Sequence, residues 1–270
     1  MKVILSRKGF DSQYGKQASP IFPDGTLLSF PIPSDDEQTY SSVMWNGAPL
    51  YEIIRSLKPK SMVSEHTHCH LDPDLREASI PRQKGWMPAF GQTGSSLTEL
   101  RDYEVSAGDL FLFFGWFKET EYLNGRLQYK PRARDLHVIY GYMQIGSIIE
   151  QKEDIPSWLQ YHPHANMKIY KDAWSKGQNA IFLPSPHLSF APMLPGSGTF
   201  KYHKRLVLTK EGYSRSRWEF PPSMNGIPIS HNPHGWKEYY FQSAARGQEF
   251  IMEGTPAVME WINNLFNLDI

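Results

Sequence analysis

The sequence is poor in cysteine, in net charge and in long apolar runs. A single cysteine, Cys69, excludes an internal disulfide and is typical of a reducing compartment. The 28 basic and 28 acidic side chains cancel, so no overall field attracts nucleic acid and any such contact must be local. No apolar run approaches the roughly 18 residues that span a membrane, and residues 1–12 lack the apolar core of a secretory signal. We therefore expect a soluble cytoplasmic protein with no membrane partner.

Aromatic residues and proline are abundant, with 8 Trp, 14 Tyr, 15 Phe and 21 Pro in 270 residues. This composition favours a β-rich chain with many defined loops over a helical bundle. The length is near the upper end for one domain and suffices for a substantial core. We expect a single elaborated domain over residues 1–270, of α+β class, with a strongly bent mixed or antiparallel sheet and a few peripheral helices.

Two apolar runs within residues 107–150 predict the centre of that sheet. Residues 110–117 and 136–149 are rich in Phe, Val, Ile and Tyr and are bounded by glycine and charged residues, which is typical of buried strands. A Gly-Asp turn, a strand, a polar insertion and a second strand resemble the core of PUA-like barrels, including the ASCH and EVE types. That resemblance implies binding of nucleic acid, often at a modified base.

Glycines mark where the two strands should turn or bend. Asn124-Gly125 lies in the polar insertion and is a strong signal for a tight hairpin turn. Gly141 and Gly146 interrupt the second strand, where a bulge or a barrel corner is needed.

Three helices are expected outside the sheet, at residues 49–57, 96–103 and 256–266. The last begins with Thr and Pro at its first positions, which are good start signals. Residues 34–47 are polar and acidic, which favours a surface loop.

The segment EHTHCHLDPD holds the densest set of ionisable groups. On an extended strand the side chains of His66, His68 and His70 would share one face, because strand side chains have a period of two. Three imidazoles with Asp72 or Asp74 could form a zinc or non-haem iron site. No Cys-x-x-Cys or His-Glu-x-x-His motif accompanies them, and short histidine-rich loops are often exposed. We therefore assign no metal ligand from the sequence and leave metal binding by the three histidines open.

Two further features suit acid–base chemistry. Asp72 and Asp74 flank a rigid proline and could form an acid–base or cation-binding pair, although turn capping explains them as well. His162 and His164 also flank a proline, which holds the backbone before it extended. The candidate catalytic residues are Asp72, Asp74, His70, His162 and His164.

Basic and polar residues in loops are candidates for binding phosphate or nucleotide. Arg7 and Lys8 follow a short apolar strand and lie beside Gly9, an arrangement that often holds anions, although a polar turn has the same composition. Arg217 precedes Trp218 and could combine a phosphate contact with stacking, or pack over the indole at the surface. The candidate phosphate or nucleotide ligands are Arg7, Lys8, Asp11, Gln92, Arg217, Arg246 and Gln248.

Many short blocks, in order along nearly the whole chain, resemble the nucleotide modification associated domain 3 family. The blocks are SRKGFDS at 6–12, PDGT at 23–26, HLDPDL at 70–75, FGQTG at 90–94, GDLFLFFG at 108–115, HVIYGYMQIG at 137–146, HPH at 162–164, SRW at 216–218 and QSAARGQEF at 242–250. The resemblance implies a bacterial or phage protein associated with hypermodification of DNA bases. All the candidate residues above lie in these blocks, whereas His66 and His68 do not.

Two functional hypotheses follow. In the first, the chain is an enzyme that acts on a nucleotide or DNA base, with the aspartates and histidines as acid–base groups and Arg7, Lys8 and Arg217 holding phosphate. In the second, it is a PUA-like reader that binds a modified base without chemistry. The expected partners are a nucleotide or nucleic acid with a modified base and other base-modification proteins, and no cofactor is assigned. Carboxylates and imidazoles that converge in one pocket would favour the enzyme, and an aromatic cage would favour the reader.

Overall fold

A computed structural model describes residues 1–244 and 247–266. The described residues form short and long β-strands in five sheets. The strands are β1 Lys2–Arg7, β2 Ser19–Ile21, β3 Ile32–Pro33, β4 Met44–Trp45, β5 Ala48–Pro49, β6 Cys69–His70, β7 Phe90–Thr93, β8 Leu110–Leu123, β9 Arg126–Tyr129, β10 Leu136–Ile149, β11 Asn179–Pro184, β12 His187–Leu188, β13 Ala191–Pro195, β14 Ser197–Thr199, β15 Arg217–Trp218, β16 Phe241–Gln242 and β17 Glu249–Glu253.

The main sheet has nine strands and is curled into a half-barrel. Its central order is β17-β1-β8-β10-β11-β7, while β14 pairs with β10 and both β2 and β9 pair with β8. The strand β1 runs parallel to β8, as does β2, and the other pairings are antiparallel. The expected strongly bent mixed sheet of a β-rich α+β fold is therefore confirmed.

The two predicted core strands are the longest of the sheet. The second predicted run coincides with β10, and the first is the buried start of β8, which continues to Leu123. The turn at Asn124 and Gly125, both with positive φ, joins β8 to β9 as a tight hairpin. The register of β10 shifts next to Gly141 and again across Gly146, so both glycines mark irregularities where the sheet bends.

Four α-helices in the described residues pack around the sheet. They are α1 Leu50–Leu57, α2 Gly94–Asp102, α3 Met167–Ser175 and α4 Pro256–Phe266. Three of them match the predicted helices to within about two residues. The amide of Val258 reaches the Thr255 hydroxyl, which is the expected start of α4. No described helix combines the length and the apolar character that crossing a membrane requires.

The largest apolar cluster lies between the main sheet and α4, with the phenylalanines of β8 at its centre. A second cluster packs α1 against the loop that precedes it, and both Asp36 and Tyr40 of that loop are buried. The prediction of a surface loop at 34–47 is therefore wrong at these two positions and at Val43, which is also buried. The polar composition of the segment gave no sign of this burial. Tyr40 is buried because its ring packs in the core, and Asp36 is buried because it contacts a histidine that is distant in sequence.

Candidate functional site

A cleft of about 720 Å³ opens beside the end of β7. Its lining comes from six chain segments, within 7–14, 32–36, 70–72, 91–96, 164–170 and 247–248. Several of the predicted site residues contribute to it, although they are up to about 240 positions apart in the sequence. We refer to this space as the cleft.

His70 enters the cleft from the short strand β6. The pairing of His70 with Ile32 of β3 brings the following loop, and with it Asp36, next to the imidazole. The Nδ1 atom of His70 lies 2.7 Å from Oδ2 of Asp36. A proton on Nδ1 leaves the lone pair of Nε2 free, and Nε2 lies 3.9 Å from Oδ2 of Asp72.

Asp72 is buried at the inner end of the cleft. Its neighbour in the chain, Asp74, pairs with Ala89 by two backbone hydrogen bonds. This pairing positions the amide of Gly91, which donates to Oδ1 of Asp72 at 2.7 Å. The Nε2 atom of His162 lies 3.3 Å from the same oxygen. The carboxylate is thus held through Oδ1, while Oδ2 faces the imidazole of His70.

His164 reaches the cleft from the turn before α3. Asn179, the first residue of β11, donates from Nδ2 to the backbone carbonyl of His164 and lies with Oδ1 2.6 Å from its Nδ1. Since Nδ2 is the donor to the carbonyl, Oδ1 is an acceptor and the imidazole proton lies on Nδ1. The ring stacks on Tyr170 with 4.7 Å between centroids. A Cβ on Gly91 would lie 2.2 Å from the ring, so glycine is needed for this approach.

Burial and mutual contacts set the charges of this cluster. Burial raises the pKa of Asp72, but the hydrogen bond with His162 and the electrostatic interactions with His164, His162 and His70 together outweigh this effect and lower the pKa to about 2. Burial lowers the pKa of His164 to about 3, an effect that Asp72 offsets in part. Burial raises the pKa of Asp36, but the hydrogen bond and electrostatic interaction with His70, together with smaller contributions from Ser34 and His164, lower that pKa overall. Near neutral pH the cluster therefore combines ionised carboxylates with a neutral His164.

Three side chains bring potential metal-ligand atoms together. One atom each of His70, Asp72 and His164 lies within 4.8 Å of the other two. We refer to these three residues as the His-Asp-His cluster. Its members combine imidazole and carboxylate, which are ligands of zinc and of other first-row metals.

Asp74 lies apart from the cluster, although it is buried and two residues from Asp72. Arg82 binds both of its oxygens, at 2.7 Å each. The hydroxyl of Tyr161 donates to Oδ2 at 2.6 Å, and the indole of Trp86 lies within 3.4 Å of the same oxygen. The partners of Asp74 are therefore those of a structural ion pair.

The two predicted cations of the first loop line the cleft. Arg7 donates from Nη2 to the carbonyl of Ala244, and its guanidinium lies over the rings of Phe114 and Phe250. Lys8 lies over the ring of Phe90 at 4.4 Å and forms a buried ion pair with Glu249 at 3.3 Å.

The polar candidates also line the cleft, and each has local hydrogen bonds. Asp11 accepts from the amides of the two residues at 13 and 14, closing the first loop. Gln92 donates to the carboxylate of Glu249 at 2.6 Å. Gln248 accepts weakly from Gln92 and from Ser96, at 3.5 and 3.4 Å.

Two predicted ligands are not placed at the cleft. Arg217 lies on β15, with its guanidinium over the rings of Tyr213 and Tyr240 at 5.6 and 5.2 Å. Arg246 lies outside the described residues.

The structure separates the three histidines of the sequence run. The strand there comprises Cys69 and His70 alone, and His66 is exposed in a turn beside Glu65. His68 contacts the backbone carbonyl of Asp36 through Nδ1. The expectation of a strand that presents three imidazoles on one face is therefore wrong, because the turn before Cys69 breaks the two-residue period.

Sequence reasoning missed three residues that orient the cluster, namely Asp36, Gly91 and Asn179. No motif marks Asn179, which opens an apolar strand. Gly91 lies in the FGQTG block, but nothing in that block indicates which side chain the glycine contacts. Asp36 lies within residues 34–47, for which the sequence predicts a surface loop. Tyr40 is the feature of the sequence that could have indicated the burial of Asp36, because an aromatic residue in a polar segment suggests that the segment packs against the core.

Comparison with known proteins identifies the family of the chain. Residues 2–253 match the family model described as Nucleotide modification associated domain 3. The match covers most of the 270 residues and confirms the resemblance found in the sequence. No curated protein and no solved structure matches the chain.

Proposed function

Because the chain belongs to the nucleotide modification associated domain 3 family, we propose that it is an enzyme that acts on a nucleotide or DNA base in the cleft. One observation carries this proposal. Two imidazoles and a buried carboxylate, from segments up to 94 positions apart, bring one ligand atom each within 4.8 Å of the others in the cleft. Reactive groups concentrated in a recess of ligand size are typical of an active site.

The dimensions and polarity of the cleft suit a nucleotide. Its volume of about 720 Å³ lies within the range of roughly 300–1,000 Å³ of small-molecule sites. Tyr170 stacks on His164 and offers an aromatic edge for a base near the cluster. Lys8 and the first turn of α2, at residues 94–96, line the same cleft and suit a phosphate.

A neighbouring groove supports a polymeric substrate. This groove, of about 500 Å³, shares Arg7, Lys8 and Asp11 with the cleft. The guanidinium of Arg215 lies 4.1 Å from the centre of the Trp116 ring in it. A cation stacked on an indole suits the backbone and bases of a nucleic-acid strand. We therefore favour a nucleic acid, with one base in the cleft, over a free nucleotide.

The PUA-like reader is the second hypothesis. The curled sheet agrees with it, and a flipped base could bind against Tyr170 without reaction. The aromatic side chains that line the cleft in the described part of the chain are Tyr14 and Tyr170, which is short of a cage. Oδ2 of Asp72 faces the imidazole of His70. A protein that only binds a base does not need a buried carboxylate in this position.

Nucleoside mass spectrometry of host DNA tests the proposal. The chromosomal copy is replaced by the Asp72→Asn variant and, as a matched control, by the Asp35→Asn variant, since Asp35 lines the same cleft but is exposed. We expect an unusual nucleoside in the wild type and the control and its loss, or an accumulated precursor, with Asp72→Asn. An unchanged nucleoside profile with folded Asp72→Asn protein would contradict the enzyme and leave the reader.

A further inference from the structure

We propose that His70, Asp72 and His164 bind one divalent first-row transition metal ion, with its remaining coordination positions open to the cleft. This inference rests on the proposed function, since it names the reactive group of the same site.

Three hydrogen-bond acceptors face one another in the cluster. The protons on Nδ1 of His70 and His164 are directed to Asp36 and Asn179, so each Nε2 presents a lone pair. The third atom, Oδ2 of Asp72, is a carboxylate oxygen. Acceptors with no proton between them repel each other unless a cation lies among them. A metal ion supplies the missing positive partner.

The spacing of these atoms is close to that of a ligand set. Bonds from zinc to imidazole and carboxylate ligands are about 2.0–2.2 Å long, so two ligands at a tetrahedral angle lie about 3.3–3.6 Å apart. The atoms His70 Nε2 and Asp72 Oδ2 are 3.9 Å apart, and a ligand atom of His164 lies within 4.8 Å of a ligand atom of each of the other two residues. Side-chain rotation that closes the widest gap by about 1.5 Å or less would complete the site.

Every ligand is oriented by a second group through its other polar atom. Asp36 holds His70, Asn179 holds His164, and the amide of Gly91 holds Oδ1 of Asp72. Carboxylate or carbonyl partners on the distal nitrogen of a histidine are typical of metal sites. The pattern is independent of the spacing and points to the same three ligand atoms.

Charge balance also favours a divalent ion. Asp36 and Asp72 are buried, and within residues 1–244 and 247–266 their ion-pair partners are imidazoles and not lysine or arginine. An imidazole is positively charged only when it is protonated, so neither carboxylate has a permanently charged partner. A dication bound by His70 and Asp72 would neutralise both.

Two histidines and one carboxylate leave coordination positions for water and substrate. These positions face the cleft, because all three ligands line it. The metal would polarise a bound oxygen or activate a bound water, which suits chemistry on a base or a phosphate.

Metal binding by the full chain, made without a polyhistidine tag, tests the inference. Elemental analysis of the purified protein is followed by removal of metal with a chelator and anaerobic titration with Co²⁺, whose visible absorption reports imidazole and carboxylate ligands. Competition with Fe²⁺ and Zn²⁺ then identifies the preferred ion. We expect one ion per chain and a loss of affinity of more than about 100-fold in Asp72→Asn, since removal of an orienting group already costs about 10–100-fold.

A double variant serves as the control. His66→Ala/His68→Ala keeps the proposed ligands and removes the other histidines of the run. It should bind Co²⁺ with wild-type stoichiometry. Binding that is absent from the wild type, or that is lost in His66→Ala/His68→Ala and kept in Asp72→Asn, would overturn the inference.

The outcomes separate this inference from the proposed function. If the metal binds as expected but Asp72→Asn leaves the host nucleosides unchanged, the metal site stands and the enzyme proposal fails. If the wild type binds no metal and Asp72→Asn still abolishes the modification, the cluster acts without metal and the inference alone fails.

Discussion

Asp72 and Asp74 are two buried aspartates on either side of one proline, yet their surroundings differ in kind. Asp74 accepts two bonds from Arg82 and one from Tyr161, all between 2.6 and 2.7 Å. Asp72 has its Oδ1 fixed by a backbone amide, while Oδ2 faces Nε2 of His70 across 3.9 Å. Both carboxylates are buried, so burial alone does not separate the structural aspartate from the candidate functional one.

The difference lies in the partners. A guanidinium that matches both oxygens satisfies a carboxylate and leaves nothing for a ligand. A carboxylate whose partners are imidazoles, with one oxygen towards the cleft, remains available to a ligand or a reaction. The comparison therefore predicts that changes at Asp74 act on stability and changes at Asp72 act on function.

The largest expected effect is on stability and comes from Arg82→Leu. This change leaves the carboxylate of Asp74 buried without its cation, which typically costs about 3–5 kcal/mol. Urea unfolding monitored by circular dichroism would measure it. In the same assay Asp72→Asn should destabilise the metal-free protein less than Arg82→Leu does, because the amide group keeps an acceptor for the Gly91 amide and supplies a donor to the facing acceptors. The comparison is wrong if Asp72→Asn destabilises the chain more than Arg82→Leu does.

Gly91→Ala should affect both properties at once. The new Cβ would lie 2.2 Å from the His164 ring, so the ring must move, and overpacking of this kind costs about 1–3 kcal/mol. We expect a lower midpoint of urea unfolding and weaker Co²⁺ binding. Ser95→Ala, in the same cleft but without this contact, is the control. Unchanged Co²⁺ affinity in Gly91→Ala would show that the position of His164 is unimportant.

Asp36→Asn tests the orientation of His70 and is compared with Asp35→Asn. Loss of a charged partner on the distal nitrogen should weaken metal binding by about 10–100-fold, while the exposed Asp35 should have little effect. Isothermal titration with Zn²⁺ after chelator treatment would measure both variants. Equal Zn²⁺ affinities of the two variants would show that Asp36 does not orient His70 for metal binding.

The smallest expected effect concerns His137, a buried histidine outside the His-Asp-His cluster. Its Nδ1 accepts from the indole of Trp218 at 3.0 Å, and burial, reinforced by Arg7, holds its pKa well below the usual value. Above a pH of about 6.5 the imidazole of His137 is neutral in both the folded and the unfolded state. Below that pH the imidazole is protonated in the unfolded state and stays neutral in the folded state. Stability should therefore fall by up to about 1.4 kcal/mol per pH unit as the pH drops.

Urea unfolding at pH 7 and 5.5 in the wild type and in His137→Gln isolates this contribution. The variant keeps an acceptor for Trp218 but cannot bind a proton in this range, so its stability should decline less. Equal declines in both proteins would assign the acid sensitivity to other groups.

Local signals in the sequence were sufficient for much of the fold. The hairpin at Asn124 and the start of α4 at Thr255 depend on neighbouring residues, and both are confirmed. The run 136–149 coincides with β10 because its apolar residues are buried in the curled sheet. Such features follow from turn chemistry and burial within one segment.

The site was less accessible to the same reasoning. His70 and Asp72 were identified as candidates together, but their joint use with His164 depends on the packing of β6 and β7 around the cleft, which local patterns do not encode. Asp74 was grouped with Asp72 because the sequence carries no sign that Arg82 turns back to it. The histidine run suggested a metal ligand set that the turn at His66 breaks apart.

Crystals of the protein soaked with a deoxynucleoside monophosphate would show whether the cleft is the active site. We expect electron density for the base beside Tyr170 and the His-Asp-His cluster, with the phosphate towards Lys8 and the start of α2. An anomalous signal among His70, Asp72 and His164 would locate the metal in the same crystal. A nucleotide bound in another groove, with the cluster facing empty solvent, would contradict the assignment of this cleft as the active site.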